Sequence, residues 1–279
     1  AIRTMNLDAY LRRIRYDGPS GASPQALASI VRCHAMAIPF ENLAVLASGP
    51  PDLDPDAVEA KLVGRRRGGY CFEQNHLLLA ALREIGFAVE PLAARVRYGR
   101  PPGTPAPRTH MVLRVHSGGR TWLADAGFGN FTLTAPVDLS APEPQDTPHE
   151  RVRVAAVEGG FLLQILLDHE WRDVYGFDLA PQLAVDYVQQ NWFTGTFPGG
   201  LFTGNVVVTL PKRDGRCTLF NRTLTRRSAT GEPERTTLGS IGELSAALDT
   251  TFGLRVDPRE LAVAGNVGGR AREPRGGFE

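Results

Sequence analysis

The sequence predicts an α+β chain on three observations. Apolar residues recur at helical spacing through the first third. Short β-rich runs separated by glycine turns fill the middle third, and the last third mixes both patterns. Leu7, Tyr10, Leu11 and Ile14 trace the first helix. In "SPQALASIV", Ser23 is placed as N-cap and Pro24 at the first helical position, with Leu27, Ile30 and Val31 on one face. A third, short helix is expected from Asp54-Pro55, with Val58 and Leu62 inward. A fourth runs from Cys71 to Ile85, with Leu78, Leu82 and Ile85 on one side and Gly86 ending it.

The middle runs MVLRV, TWLAD, RVRVAAV, FLLQILL and WRDVYGF suggest an antiparallel sheet or small barrel. "GRPPGTPAP" and "TAPVDLSAPEPQDTP" are expected to be surface loops, because proline cannot donate to a ladder. Near the end, "GNVVVTL" and "RCTLFN" flank a turn at Asp214-Gly215. "SIGELSAALDTTFGL" is a helix with a capping box from Ser240 to Glu243. The tail "GNVGGRAREPRGGFE" has little to bury and is expected to be mobile.

At 279 residues and 42% hydrophobic, the chain has room for two domains, or one large domain with subdomains. A net charge of +1 offers no argument for nucleic acid or an acidic membrane surface as partner. No apolar run approaches the ~20 residues that span a bilayer, and "AIRTMNLDAY" lacks the basic-then-apolar layout of a signal peptide. Three cysteines, at 33, 71 and 217, argue against a disulfide framework and for a reducing, cytoplasmic setting.

Cys71 follows two glycines and opens a helix, where the positive end of the dipole favours thiolate. The competing reading is a small buried packing residue. Cys33, mid-helix, and Cys217, mid-strand, are read as inert. "RTHMVLRVHSGGRTWLADAGFGN" reads as a hairpin turning at Ser117-Gly118. With that turn His110 falls opposite Asp125, at the roughly 4.5–5.5 Å Cβ spacing that brings an imidazole to a carboxylate. Met111, Leu113, Val115, Trp122 and Ala124 take the other face. A cysteine, a histidine and an orienting acid make a nucleophilic site, with His110 as base and Asp125 holding its tautomer. The other histidines lie in turns, loops or helix faces, and Cys71 and His76 lack a second pair at zinc-ligand spacing, so no metal is expected. Gly127 and Gly129 in "DAGFGN" form a loop whose free amides would accept phosphate oxygens, or an ordinary turn; no GK[ST] follows.

"RRRGGYCFEQN", "IPFENL", "PRTHMVLRV" and "WLADAGFG" stand in the order and spacing of the arylamine N-acetyltransferases, which the chain resembles over nearly its whole length. The resemblance implies a cysteine-protease-like core: an N-terminal helical bundle (1–86), a central antiparallel β-barrel (87–185) and a C-terminal α/β lid (186–279). It implies a Cys71–His110–Asp125 triad and ping-pong acyl transfer, from a thioester, acetyl-CoA first, to an arylamine or hydrazine nitrogen. No cofactor is implied beyond this acyl donor. Gly127, Phe128, Gly129, Thr109 and Thr196 would meet the CoA, and Phe40, Tyr70 and Phe128 would wall the acceptor. Backbone amides near Cys71 would hold the oxyanion, and Arg67 with Glu41 would brace the cysteine from below. The lid departs from the family's "STxPxSxF": here it is "TGTFPGGLF", with Gly195 and Gly200 in place of hydroxyls. Each lost hydroxyl removes a hydrogen bond of ~0.5–1.5 kcal/mol, for which Thr194 and Thr196 are placed to compensate. The alternative is an amide synthase of the kind that closes ansamycin macrolactams, drawing its acyl chain from a carrier protein. Hydrolysis of peptides by the same triad, and a catalytically dead binding module, are the readings from other classes.

Overall fold

The computed structural model describes residues 5–268 apart from 102, 229 and 230. In the first third α1 (Leu7–Arg13), α2 (Pro24–Ala37), α3 (Leu43–Ser48), α4 (Pro55–Glu59) and α5 (Cys71–Ile85) form the helical part. Ser23 accepts from Ala26 N–H at the start of α2, and Gly86 closes α5 with φ 104°. The helix expected from Asp54 is α4, and it passes into a π-helical turn at Ala60–Gly64. Tyr10, Leu27, Ile30, Leu62, Phe72, Leu78 and Leu82 make its core.

Eight antiparallel strands follow: β2 (Ala88–Val96), β3 (Arg108–Ser117), β4 (Arg120–Ala124), β5 (Val137–Asp138), β6 (Gln145–Asp146), β7 (Arg151–Val157), β8 (Gly160–Leu167) and β9 (Glu170–Phe177). Their order is β5-β4-β3-β2-β9-β8-β7-β6, so the sheet curls toward closure. Every β-rich run read from the sequence is one of these strands. β2 escaped that reading because it contains Pro91. The structure tolerates the proline because β2 meets β9 only at 94–96, leaving position 91 unpaired on that side. The proline-rich stretch 134–148 is not all loop, since it supplies the edge strands β5 and β6.

The β3–β4 hairpin turns at Gly118-Gly119, with φ 60° and 71°, and not at Ser117-Gly118. A two-residue turn of this hand needs positive φ at both positions, which two glycines meet without strain. Ser117 pairs instead with Arg120. Each pairing therefore moves by two positions: Leu113 faces Ala124, and His110 is not directly opposite Asp125. A shift of two keeps every side chain on its face. Met111, Leu113, Val115 and Ala124 bury against the helices, while Val112 and Leu123 join Leu92, Leu163, Val174 and Tyr175 inside the curled sheet.

In the last third, α6 (Ala184–Thr196) and α7 (Leu201–Gly204) precede β10 (Val207–Lys212), β11 (Gly215–Phe220), β12 (Thr223–Ser228) and β13 (Glu234–Thr237). The edge of this sheet is β1 (Phe40–Glu41), lent by the first third through Phe40↔Thr209. α8 (Ile241–Phe252) starts as half a capping box: Ser240 Oγ accepts from Glu243 N–H, while the Glu243 carboxylate takes Gly239 N–H. The tail expected to be mobile begins inside α9 (Pro258–Gly268); its remainder lies outside the described residues. No helix among the described residues is long and apolar enough to cross a membrane.

Candidate active site

Cys71 is the first residue of α5 and is buried. The glycines before it do not supply a left-handed turn; Arg66, at φ 54°, does that. They are needed for close approach. A Cβ on Gly68 would sit 2.2 Å from the Pro39 carbonyl oxygen, and one on Gly69 would sit 2.8 Å from Glu73. The chain thus threads between β1 and α5, and Phe40 bridges Gly69. Beneath it, Arg67 pairs with Glu41 at 2.8 Å and with Glu260 of α9 at 2.6 Å, while Lys61 pairs with Glu73 at 2.7 Å. Burial alone would raise Glu41, but the Lys61 and Arg67 charges outweigh it and hold the carboxyl low. For Glu73 burial wins, and the carboxyl is raised despite Lys61.

The Cys71 thiol donates to the Thr109 carbonyl across 3.6 Å and accepts from the amides of Phe72 and Met111. It is therefore held against the backbone on both sides of His110. His110 Nε2 lies 2.7 Å from Asp125 Oδ2. This leaves Nδ1 as the ring nitrogen for the thiol. Asp125 is fully buried, and its other oxygen accepts from Asn75 Nδ2 at 2.9 Å and from Gly127 N–H at 2.8 Å. Burial works against that carboxylate, but His110 and these donors prevail and keep its pKa low. Asp125 reaches His110 from just beyond the end of β4, so contact survives the register shift.

Burial pushes the Cys71 thiol up, and the Asp125 charge adds to this, against the pull of the two amides. Burial thus opposes the thiolate that the helix end favours, and a partner base is needed to take the proton. Tyr175 packs on the His110 ring at 5.0 Å. Burial and the nearby Asp125 carboxylate raise its phenol well above the usual range, and its hydroxyl has no hydrogen-bond partner of good geometry.

The remaining candidates separate clearly. Phe128 stands edge-on to His110 at 5.2 Å and is only half-buried. Phe40 packs against Phe202 at 5.6 Å and faces Gly129. Tyr70 is fully buried, its hydroxyl engaged by Asn191, so in this conformation it packs and presents no open wall. The glycine loop does not hold free amides at Gly127 and Gly129: the first donates to Asp125 and the second to Thr132 Oγ1 at 2.8 Å. Gly127 is needed for proximity, since a Cβ there would lie 2.8 Å from Cys71 Cα. Thr109 acts through its carbonyl, and Thr196 returns its hydroxyl to the Trp192 carbonyl of its own helix. Gly195 is enforced by packing, as a Cβ would meet Pro50 at 2.9 Å. No cluster of three metal-ligating side chains occurs among the described residues.

The N-acetyltransferase family model matches residues 24–262. The chain is 38% identical over 252 residues to the arylamine N-acetyltransferase of Escherichia coli, covering 90% of this chain and 89% of that one. The chain belongs to the arylamine N-acetyltransferase family. Membership makes it an acyltransferase. A Salmonella typhimurium relative, 38% identical over 91% of this chain and 90% of its own, is an arylamine N-acetyltransferase and N-hydroxyarylamine O-acetyltransferase. The Mycobacterium marinum arylamine N-acetyltransferase in complex with CoA superposes with TM-score 0.89 at 34% identity, over 94% of this chain and 99% of that one. The family's helical part, barrel-like sheet and second sheet thus match what is described above. Asn75 was missed as a site residue. It donates to the Met111 carbonyl at 2.7 Å as well as to Asp125, and accepts from Ala126 N–H.

Proposed function

We propose that the chain moves an acetyl group from acetyl-CoA, through an acetyl-Cys71 thioester, to the nitrogen of an arylamine or hydrazine. The observation that carries this reading is His110, on the strand that cradles the Cys71 thiol, paired at 2.7 Å with Asp125. His110 Nδ1 takes the thiol proton, and Asp125 stabilises the imidazolium. The sulfur lone pair attacks the thioester carbonyl, and the oxyanion is held by backbone amides. Collapse expels CoA thiolate, which takes the proton from His110. The amine then attacks acetyl-Cys71, gives a proton to His110 and leaves as the amide, and the thiol is restored. Aromatic amines are weak bases and keep their lone pair free near neutral pH. Phe128 and Phe40 wall the acceptor, and the Gly127–Gly129 loop shapes the CoA entrance by its closeness to Cys71. Thr109 and Thr196 remain the polar candidates beside the CoA arm.

Intact mass spectrometry after mixing with acetyl-CoA tests the reading. One acetyl group should appear on the chain, map to Cys71 and vanish when an arylamine or hydralazine is added. An unmodified Cys71 under these conditions would refute it.

A further inference from the structure

We propose that the outer face of α6 is the contact surface between two copies of this chain. The helix carries its polar and apolar residues in reverse of the usual order. Tyr187, Asn191, Thr194 and Gly195 face inward. Outward, Val185 is 62%, Val188 59% and Trp192 64% exposed, with Leu183 bare at one end and Phe197, half exposed beside Phe193, at the other. The spacing 185, 188, 192 is one helical stripe, about 10 Å long on a 13-residue helix of about 20 Å. Surface helices normally turn such a stripe to the core.

Charge selects the occupant. No Lys, Arg or His lies between Arg172 and Lys212; the only charges there are Asp173, Asp178 and Asp186. An anionic lipid surface needs basic residues beside the apolar stripe, and an acidic protein partner needs basic complements. Neither is present. An identical neutral face meets no such repulsion, and the stripe is self-complementary. Two antiparallel copies related by a two-fold near Val188-Gln189 place each Val185 against Trp192 of the second copy, and each Leu183 near its Phe197. Small side chains thus meet large ones. The five side chains leave on the order of 600 Å² bare, against about 800 Å² per partner in an ordinary interface, so a weak, concentration-dependent association is expected. The inner edge of the same helix holds Tyr70 through Asn191 and Phe72 through Tyr187, so the contact lies one helix width from the nucleophile.

Sedimentation velocity of the full chain from low to high micromolar concentration tests this. The mass should double, and Val188→Glu should stay at one chain throughout while keeping its activity. In a Cys33→Ser background, Gln189→Cys should cross-link to a dimer under mild oxidation well ahead of the exposed control Glu158→Cys. A wild-type chain that never exceeds one copy, a Val188→Glu dimer, or equal cross-linking of the two cysteine variants would each overturn the proposal. So would binding to phosphatidylcholine–phosphatidylglycerol vesicles without self-association.

Discussion

At Cys71 two opposing effects act on one sulfur. Burial and the Asp125 charge raise the thiol, and the amides of Phe72 and Met111 lower it. Because burial leads, reactivity depends on His110 as base. His110→Gln should slow Cys71 alkylation by iodoacetamide at neutral pH by at least about 100-fold, a base contributing typically 10²–10⁴. A rate equal to wild type would show that the helix end alone activates the sulfur. Asn75 ties Asp125 to the Met111 carbonyl and the Ala126 amide. Asn75→Ala orphans these buried groups, each costing ~1–3 kcal/mol, and should lower the acetylation rate of Cys71 by roughly 10- to 100-fold with little change in arylamine KM. The contact between His110 and Asp125, and Cys71 at the start of its helix, were legible from residue type and local pattern. Asn75 was not, since its partners lie 36 and 50 positions away and nothing local marks them.

At the scale of elements, glycine placement governs the site more than turn geometry does. Gly68 and Gly69 serve as contact points between β1 and α5 rather than as a turn. Gly68→Ala drives a methyl into the Pro39 carbonyl and should destabilise by about 1–3 kcal/mol, read as a lowered urea midpoint; Gly86→Ala, which meets no neighbour, should cost only its left-handed backbone strain. The hairpin shows how much a sequence register can carry. Gly-Gly pins the turn one residue later than expected, yet the face of His110 is unchanged because the shift in pairing is even. β2 and α6 were invisible for opposite reasons. One breaks the strand rule with Pro91, and the other reverses the apolar pattern by burying Asn191 and exposing Trp192.

At the scale of the molecule, the barrel and the second sheet are joined by Arg216, which binds both oxygens of Glu150 and donates to the Thr132 carbonyl. Removing only the acid leaves a buried cation. Glu150→Ala should therefore destabilise by about 3 kcal/mol, more than Arg216→Met, which removes the charge as well; equal urea midpoints would contradict this. Global stability should also fall in mild acid. His34 is buried between Tyr10 and Gln74, and burial lowers its pKa to about 4. The unfolded chain binds this proton from about pH 6.5 downward and the folded chain does not, so the stabilisation is full above 6.5 and declines toward 4, by about 3 kcal/mol in all. His76 and His149 are lowered too and act in the same sense. The urea midpoint followed from pH 7 to 4 should therefore drop more steeply for wild type than for His34→Gln.

The sequence by itself determined the class of fold, the caps of α2, α5 and α8, the strands with unbroken β-pattern, and the contact between His110 and Asp125. Those depend on backbone preference, caps and side-chain chemistry, which are local properties. Only the tertiary structure decided that Cys71 is desolvated, that the Gly127 and Gly129 amides are already engaged, and that Asn75, Tyr175 and Glu260 stand around the site. Burial and long-range hydrogen bonds depend on which distant segments meet, and no short stretch of chain encodes that alone.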